Sequence, residues 1–375
     1  MRIYLQVLLS FIPLLGVGTD RAHASPASAL YIRQAIARYH PLPQDARSLS
    51  LAGSTALTCD DIACIYQNPA GLGYLGQSQL AGTVGYGRIL GSSREDEENI
   101  EQRERKGQIQ GAMPLGSAQD GRPEYGALAL GLYRYQGITN DPITSTPDGH
   151  LRTGAYGYAP LSSLAVGYSF TFYDDQLITE DATLHSHARM LHVFGTQFRP
   201  GNEITLGGVF QLGIGQSDTL VESNQGNGLS HPRQYSGALG ISKEWDPWTF
   251  SFSVDYSHLR SRGELPGATP EIIIGGTEEG DYFNVRLGTE VELQSGVVLR
   301  GGLRWYEVTS YEFKRPGLNN LSGGINDICV SVGAGYNFLK ENGAPTRMRL
   351  DYGFEYTATG SGDLAQMIGL TLFLD

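Results

Sequence analysis

The histidine and serine residues are the first candidates for chemistry, and their spacing argues against catalysis. The chain has eight histidines, scattered at positions where a neighbouring Ser or Asp is expected by chance. A membrane-embedded hydrolase needs a Ser–His pair on one face of its sheet. Ser257 and His258 are adjacent in sequence, so on a strand their side chains point to opposite faces. The sequence contains no Gly-x-Ser-x-Gly elbow, zinc signature or phosphate-binding glycine loop. We therefore predict a protein that is not an enzyme and uses no cofactor.

The three cysteines, Cys59, Cys64 and Cys329, are the second candidates. In an oxidising compartment an odd count leaves one thiol free or paired between chains. Cys59 and Cys64 lie five residues apart, close enough to close a small disulfide loop. Two cysteines without a nearby histidine or further cysteine do not make the tetrahedral ligand set of zinc. The sequence therefore allows a Cys59–Cys64 disulfide and predicts no metal site.

The strongest run of charge extends from Arg94 to Lys106. Its simplest interpretation is a solvated extracellular loop. The alternative is a divalent-cation bridge to surface lipopolysaccharide, but the carboxylates lack the spaced oxygen pattern of a dedicated calcium loop.

The segment 46–75 is made mainly of small residues, two cysteines and turn signals, which indicates a compact piece that something larger encloses. Asp60 and Asp61 can cap a short helical turn. The run Asn68 to Gly71 has turn chemistry, because proline fixes its own φ and glycine tolerates positive φ. On these residues alone the segment is a structured loop with a helix cap.

The same segment carries, in order, Ala-Arg, Ala-Gly, Asp-Asp and Asn-Pro-Ala-Gly-Leu. This order resembles the N-terminal signature of the outer-membrane transport family typified by the long-chain fatty-acid transporter FadL, and the related PorV and PorQ group carries it too. The resemblance implies a barrel of about 14 strands with this segment as a plug inside it. It also implies a plug motif formed by Asp60, Asp61, Asn68, Pro69, Ala70 and Gly71, the last four belonging to the gating plug.

The N-terminus predicts export. Arg2 is followed by an apolar run from Leu5 to Val17 and by the small-residue site Ala22-His23-Ala24, which is typical of a secretory signal peptide. The run is too short to span a bilayer, for which about 20 apolar residues are needed. We predict cleavage after Ala24, with Ala27-Ser28-Ala29 as the alternative. The domains are then a signal peptide at 1–24, a periplasmic segment and plug at 25–76, and a barrel at 77–375.

Composition favours a membrane barrel. Glycine accounts for 50 of 375 residues, about twice the usual ~7%. Charged residues make up 18% of the chain, and the mean hydropathy is −0.22. A transmembrane barrel has such a low hydropathy because lipid-facing and lumen-facing residues alternate and cancel. The net charge of −12 makes nucleic acid an unsuitable partner.

From Gln77 onward the apolar residues recur with period two. The clearest example runs from Trp248 to Tyr256, where apolar and polar residues alternate without a break. Such alternation over about ten residues, repeated along the chain, is typical of an outer-membrane barrel. Strands of a soluble β-sandwich are usually about five or six residues long. The turn pattern requires the weak segment 150–158 to be a strand, which gives the even number that a closed barrel needs.

The predicted fold is therefore all-β, a transmembrane antiparallel β-barrel of about 14 strands with an N-terminal plug segment, in the bacterial outer membrane. The predicted strands are 77–89, 108–116, 125–137, 150–158, 161–173, 187–199, 202–215, 233–245, 248–260, 281–293, 297–311, 327–339, 346–357 and 364–374. The segments 216–232, 261–280 and 312–326 are predicted extracellular connections.

The alternation also directs charged residues into the lumen. Because a buried charge needs a partner, we expect them to pair across the wall or with the plug. The alternative is a polar conduction path that sorts solutes. The predicted lumen charges are Asp255, Arg286, Glu290, Arg300, Arg304, Arg347, Arg349, Asp351 and Glu355.

Three functions remain open at this point. The resemblance implies a channel for hydrophobic small molecules such as long-chain fatty acids, with outer-membrane lipid as its surroundings. The connections 216–232 and 261–280 hold few large apolar residues, which argues against a groove for a long acyl chain. The alternative is a PorV-like barrel that acts as scaffold or shuttle for a secreted or surface protein. A structural porin-like protein is a third, weaker option.

Overall fold

The computed structural model describes residues 45–92, 99–119, 122–139, 146–178, 183–201, 203–216, 233–266, 273–293, 296–314, 321–338, 348–358 and 363–374. The predicted signal peptide, the residues 25–44, the connection 217–232 and Arg347 lie outside the described residues.

Fourteen antiparallel strands form a closed barrel, which confirms the predicted fold class. We number them in chain order. The strands are β1 Ser78–Ser92, β2 Asn99–Pro114, β3 Ala127–Thr139, β4 Thr146–Leu161, β5 Leu164–Ile178, β6 Thr183–Phe198, β7 Ile204–Gln216, β8 Arg233–Trp245, β9 Trp248–Pro266, β10 Ile273–Glu292, β11 Val297–Lys314, β12 Leu321–Phe338, β13 Met348–Thr357 and β14 Leu364–Leu374.

Each strand pairs with its neighbours in sequence, and the barrel closes where β1 pairs with β14, from Ser78 opposite Leu374 to Arg88 opposite Leu364. Closure leaves no unpaired sheet edge, which is the condition for a barrel in lipid. The weak segment 150–158 is part of β4, as the turn pattern required. We call the rim where β1 begins and β14 ends the terminal rim, and the opposite one the far rim.

The period of two divides each strand into an inner and an outer face. Large apolar side chains cover the outer face, for example Leu130, Leu239 and Val84, which are 72%, 73% and 65% exposed. Trp245 and Trp248 lie on the same face beside the turn that joins β8 to β9 at the terminal rim. An apolar outer band with aromatic residues near a rim is typical of a barrel surrounded by lipid.

Several strands are longer than the sequence pattern predicted. The charged run 94–106 was interpreted as a loop, but β2 begins at Asn99, opposite Ser92 of β1. Strand geometry is favourable there because alternate residues point inward and pair, as Glu104 does with Lys106 at 2.9 Å. Strands β9 and β10 likewise extend into 261–280, and β11 and β12 into 312–326. Charge and turn residues concealed the alternation in these extensions.

The segment Asp45 to Leu75 lies inside the barrel as a plug. It contains a short α-helix, Ala46–Ser50, and two 3₁₀ helices, Ile62–Ile65 and Pro69–Tyr74. Almost all of its residues are buried although its helices are too short to be stable alone, so the barrel wall supplies its packing. No helix among the described residues is long and apolar enough to cross a membrane.

Candidate functional site

Asn68 organises the second half of the plug. Its backbone is extended, and its side-chain oxygen accepts a hydrogen bond from the Ala70 N–H at 3.2 Å, which caps the Pro69–Tyr74 helix. Its amide donates to the carbonyl of Leu57 at 2.7 Å and to that of Thr196 on β6 at 3.0 Å. The predicted turn is therefore a helix N-terminus with proline at its first position, where the missing N–H costs nothing.

Asp61 caps the Ile62–Ile65 helix by accepting from the Ala63 N–H at 3.0 Å. Its carboxylate also contacts Arg349 and Arg47. Burial raises the pKa of this carboxyl, but the two guanidinium groups outweigh burial and hold the pKa well below its ordinary value. Asp61 is therefore charged wherever the protein is folded at ordinary pH. Asp60, the other acidic residue of the motif, is exposed and contacts Arg47 at 3.0 Å.

Six alternating charges form a closed ring between the plug and the wall, which we call the ionic ring. Arg47 and Asp61 come from the plug, Glu290 from β10, Arg300 from β11, and Arg349 and Asp351 from β13. Three cations and three carboxylates balance, so each desolvated charge has two partners. Around the ring the contacts are Arg47–Asp61 3.1 Å, Asp61–Arg349 2.7 Å, Arg349–Asp351 2.8 Å, Asp351–Arg300 2.7 Å, Arg300–Glu290 2.5 Å and Glu290–Arg47 3.2 Å.

Ten inward-facing glycines surround the plug, and we call them the glycine belt. At each of them a Cβ atom would lie 3.0 Å or less from a plug atom. Only glycine allows backbone and small side chains to approach a strand so closely. The belt is Gly131, Gly157, Gly167, Gly195, Gly207, Gly240, Gly288, Gly302, Gly333 and Gly353. Several of them are direct cross-strand neighbours, such as Gly157 with Gly167 and Gly167 with Gly195, so the belt is continuous there.

On β1 to β7 the plug packs against a largely apolar cluster of wall side chains. Plug residues including Ile62, Ile65, Tyr66, Leu72 and Leu75 join a buried cluster with side chains from β1 to β7. The wall members of that cluster are Ala81, Ala112, Ala127, Ala129, Tyr133, Leu151, Ala155, Tyr173, Leu191, Val193 and Val209. The plug therefore contacts charged side chains on one face and mainly apolar side chains on another.

Cys59 and Cys64 are joined as a disulfide within the plug, with their Cα atoms 5.5 Å apart. Gly71 of the plug motif packs against this pair, and a Cβ on it would overlap both the Cys59 carbonyl and the Cys64 sulfur. Pro69 and Ala70 contact Gly167 of the belt. Cys329 is a buried thiol on β12.

A cavity of about 180 Å³ lies on the far-rim side of the plug, and we call it the lumen cavity. Gly53, Ala56, Leu57, Tyr66 and Gln67 of the plug form its floor. The wall around it combines small apolar residues with charged and hydroxyl groups. Among the described residues, the cavity therefore lies between the plug and the far rim.

The remaining predicted lumen charges surround this cavity. Arg286 contacts Asp255, which also accepts from Asn284 at 2.8 Å. Arg304 contacts Glu355 at 2.6 Å. All four line the lumen cavity, whereas the ionic ring lies at the plug. Among the described residues, no group of three or more His, Cys, Asp or Glu could hold a metal ion.

Sequence reasoning did not identify Arg47 or the glycine belt as functional positions. Arg47 was visible only as half of an Ala-Arg dipeptide, and its three carboxylate partners are 13 to 243 residues away. The excess of glycine in the sequence could have indicated the glycine belt. Ten of these glycines lie on ten strands and not in turns, so turn formation alone does not explain them.

Solved structures share this fold at low sequence identity. A Pseudomonas aeruginosa FadL homologue is 12% identical, with 90% of this chain and 99% of that chain covered and a TM-score of 0.56. The Pseudomonas putida toluene transporter TodX is 11% identical, with coverage of 89% and 99% and a TM-score of 0.56. The Ralstonia pickettii toluene transporter TbuX is 11% identical, with coverage of 88% and 98% and a TM-score of 0.52. No protein-family model and no curated protein matches the sequence.

Proposed function

We propose that this protein is a channel of the bacterial outer membrane that takes up hydrophobic small molecules. The observation that carries the proposal is a barrel closed by its own plug, with a cavity on the far-rim side of that plug. In this proposal a solute enters the cavity from the far rim and passes farther only if the plug moves. The apolar outer face supports the membrane location, because lipid is the solvent that such a face requires.

Asn68 to Gly71 are the gating part of the plug in this proposal. Asn68 links the plug to the Thr196 carbonyl of the wall, and Pro69 and Ala70 lie against Gly167. This short helix packs against β4, β5 and β6, so displacement of the plug must release these contacts as well as the contact at Ser54.

The solved structures support a hydrophobic solute, since two of them are described as toluene transporters and one as a FadL homologue. A long-chain fatty acid as the solute remains a prediction from the sequence resemblance. The lining of the lumen cavity, which includes several paired charges, gives no specific support for a long acyl chain.

A reversible lock tests whether the plug gates uptake. The Oγ atoms of Ser54 in the plug and Ser251 on β9 are 2.5 Å apart, so the double variant Ser54→Cys/Ser251→Cys places two thiols close enough to form a disulfide. Cells that make this variant should take up a radiolabelled hydrophobic probe such as toluene at the background rate. Reduction with dithiothreitol should restore uptake.

Each single variant and the wild type, with and without dithiothreitol, are the matched controls. The wild-type control also reports the effect of reducing the Cys59–Cys64 disulfide. Unchanged uptake with a fully formed lock would show that the plug does not move at Ser54 during uptake, which contradicts gating by displacement of the plug from the wall. Background uptake by the wild type for every hydrophobic probe would contradict the proposed function itself.

A scaffold for a secreted or surface protein is the second candidate. The observation in its favour is the firm attachment of the plug, which fills part of the lumen through both the ionic ring and the glycine belt. Native mass spectrometry of the protein from outer membranes separates the two candidates. A retained small molecule supports uptake, and a stoichiometric protein partner without a small molecule supports the scaffold.

A further inference from the structure

We propose that the lumen cavity binds a neutral molecule with an apolar body and a hydrogen-bonding end, in preference to a carboxylate or a pure hydrocarbon. That such a ligand is also transported rests on the proposed function. The binding preference itself rests on three features of the cavity wall: its charge balance, its unmatched polar atoms and its apolar side.

The charged groups in the cavity wall neutralise one another. Asp255 pairs with Arg286, Glu355 with Arg304 at 2.6 Å, and Glu104 with Lys106 at 2.9 Å. Three more charged residues line the cavity, and each has interaction partners; they are Arg88, Glu307 and Asp363. Across the described lining there are four cationic and five acidic side chains.

This balance offers no gain to a charged ligand. A carboxylate entering the cavity loses its hydration and finds cations that are already paired, so it must compete with Glu355 or Asp255 for them. The slight excess of acidic groups adds repulsion. A neutral ligand avoids both costs.

Several buried polar atoms at the cavity have hydrogen-bonding capacity left; the Nε atom of Arg304 is one, and those on Ser257 and Gln67 belong to neutral side chains. Ser257 on β9 is 1% exposed, and its Oγ has no hydrogen-bond partner among the described residues. Gln67 lies on the cavity floor, and its Oε1 atom also has no hydrogen-bond partner among the described residues. An unsatisfied buried polar atom is costly, and a hydroxyl group on a ligand can both accept and donate. The cavity should therefore bind a ligand that carries a hydroxyl group more tightly than a similar ligand that lacks one.

The apolar body of the ligand would contact apolar side chains of the cavity. Leu57 of the plug, Val209 on β7 and Ala238 on β8 line the cavity and belong to or pack against the buried apolar cluster. An apolar body placed there removes its own surface from water, which is favourable in proportion to the area buried. The wall thus has a place for each end of an amphipathic neutral molecule.

Three probes of similar shape test this preference: toluene, 4-methylphenol and 4-methylbenzoate. At pH 7 the first is apolar, the second is neutral with one hydroxyl, and the third is an anion. Titration calorimetry on the whole protein in detergent should give the lowest Kd for 4-methylphenol. One buried hydrogen bond corresponds to about a fivefold advantage over toluene, and 4-methylbenzoate should bind most weakly.

The variant Ser257→Ala should raise the Kd of 4-methylphenol about fivefold and leave the Kd of toluene unchanged. Its matched control is Ser253→Ala, on the same strand, because Ser253 is also fully buried and its Oγ also has no hydrogen-bond partner among the described residues. Ser253 does not line the cavity, so its loss should not change either Kd. The variant Ala238→Phe fills the cavity and should remove binding of all three probes.

Tightest binding of 4-methylbenzoate or toluene would overturn the inference, and so would an unchanged Kd for 4-methylphenol in Ser257→Ala. The proposed function would survive either result if the plug lock still stops uptake of toluene. Tightest binding of 4-methylphenol without uptake of any probe would instead support the cavity and contradict the channel.

Discussion

The plug is held by two halves of the inner wall that work by different physical means. On the side of β10, β11 and β13 the contacts are the six charges of the ionic ring. On the side of β1 to β7 they are mainly apolar side chains, with a few hydrogen bonds such as those of Gln79 to Ile62 and of Gln197 to Cys59. The charged half is directional, because each guanidinium fits its carboxylates at one position only. The apolar contacts of the other half tolerate small shifts better, because burial depends on area and not on orientation.

The difference suggests a division of labour. In this view the ionic ring sets the position of the plug, and the apolar cluster adds stability by burying apolar surface between plug and wall. The predictions below test that division. In each of them the measurement is amide hydrogen exchange of residues 45–75 in detergent, in which a loss of about 1.4 kcal/mol in local stability accelerates exchange tenfold.

The largest effect is expected for Arg300→Met in the charged half. Arg300 contacts both Glu290 and Asp351, and its loss leaves two buried carboxylates short of a partner at a cost of about 3–5 kcal/mol. Exchange across the plug should rise by more than a hundredfold. Lys243→Met, at an exposed position, is the control. If Arg300→Met/Asp351→Asn proves no milder than the single variant, the ionic ring is not the cause.

In the apolar half, Ile65→Ala should cost about 3 kcal/mol, because Ile65 is completely buried and its removal leaves a cavity. Exchange should increase most in the second half of the plug, with the first half still held by the ionic ring. Leu130→Ala, on the outer face, removes a similar side chain without touching the plug. Equal acceleration along the whole plug would mean that the two halves are not independent.

The glycine belt crosses both halves, and Gly167→Val tests it. A side chain there would overlap the backbone of Pro69 and Ala70, and overpacking of this kind costs about 2 kcal/mol. The matched control is Gly237→Val, because a Cβ on Gly237 meets nothing within 4 Å. Similar exchange rates in the two variants would show that the glycine belt does not contribute to plug attachment.

The smallest effect is expected at β9, which belongs to neither half. Ser54→Ala removes the hydroxyl contact with Ser251 and should cost about 1 kcal/mol. Ser253→Ala deletes an equally buried hydroxyl that makes no hydrogen bond within the described residues, and should leave exchange unchanged. A loss above about 3 kcal/mol for Ser54→Ala would make β9 a principal anchor and would contradict the two-part comparison.

The sequence predicted the wall better than the site. Alternation such as that from Trp248 to Tyr256 depends only on which face a side chain takes, and a single strand reveals it. The ionic ring depends on contacts between the plug and three strands, and no local pattern links Arg47 to Glu290. Asp61 was correctly assigned as a helix cap, but its two arginine partners are set by the three-dimensional position of the plug. Asn68 was assigned to a turn because a 3₁₀ helix of six residues, Pro69–Tyr74, leaves no periodicity to detect.

The glycine belt has a consequence for transplantation between proteins. The wall has no side chains at those ten positions, so the plug packs directly against the strand backbone there. The positions of the glycines therefore match the shape of this particular plug. A plug from another barrel, with its bulk at different heights, would leave gaps at some glycines and collide elsewhere. We therefore expect chimeras of this protein to fold only when plug and belt are exchanged together, so that the two are inherited as one unit.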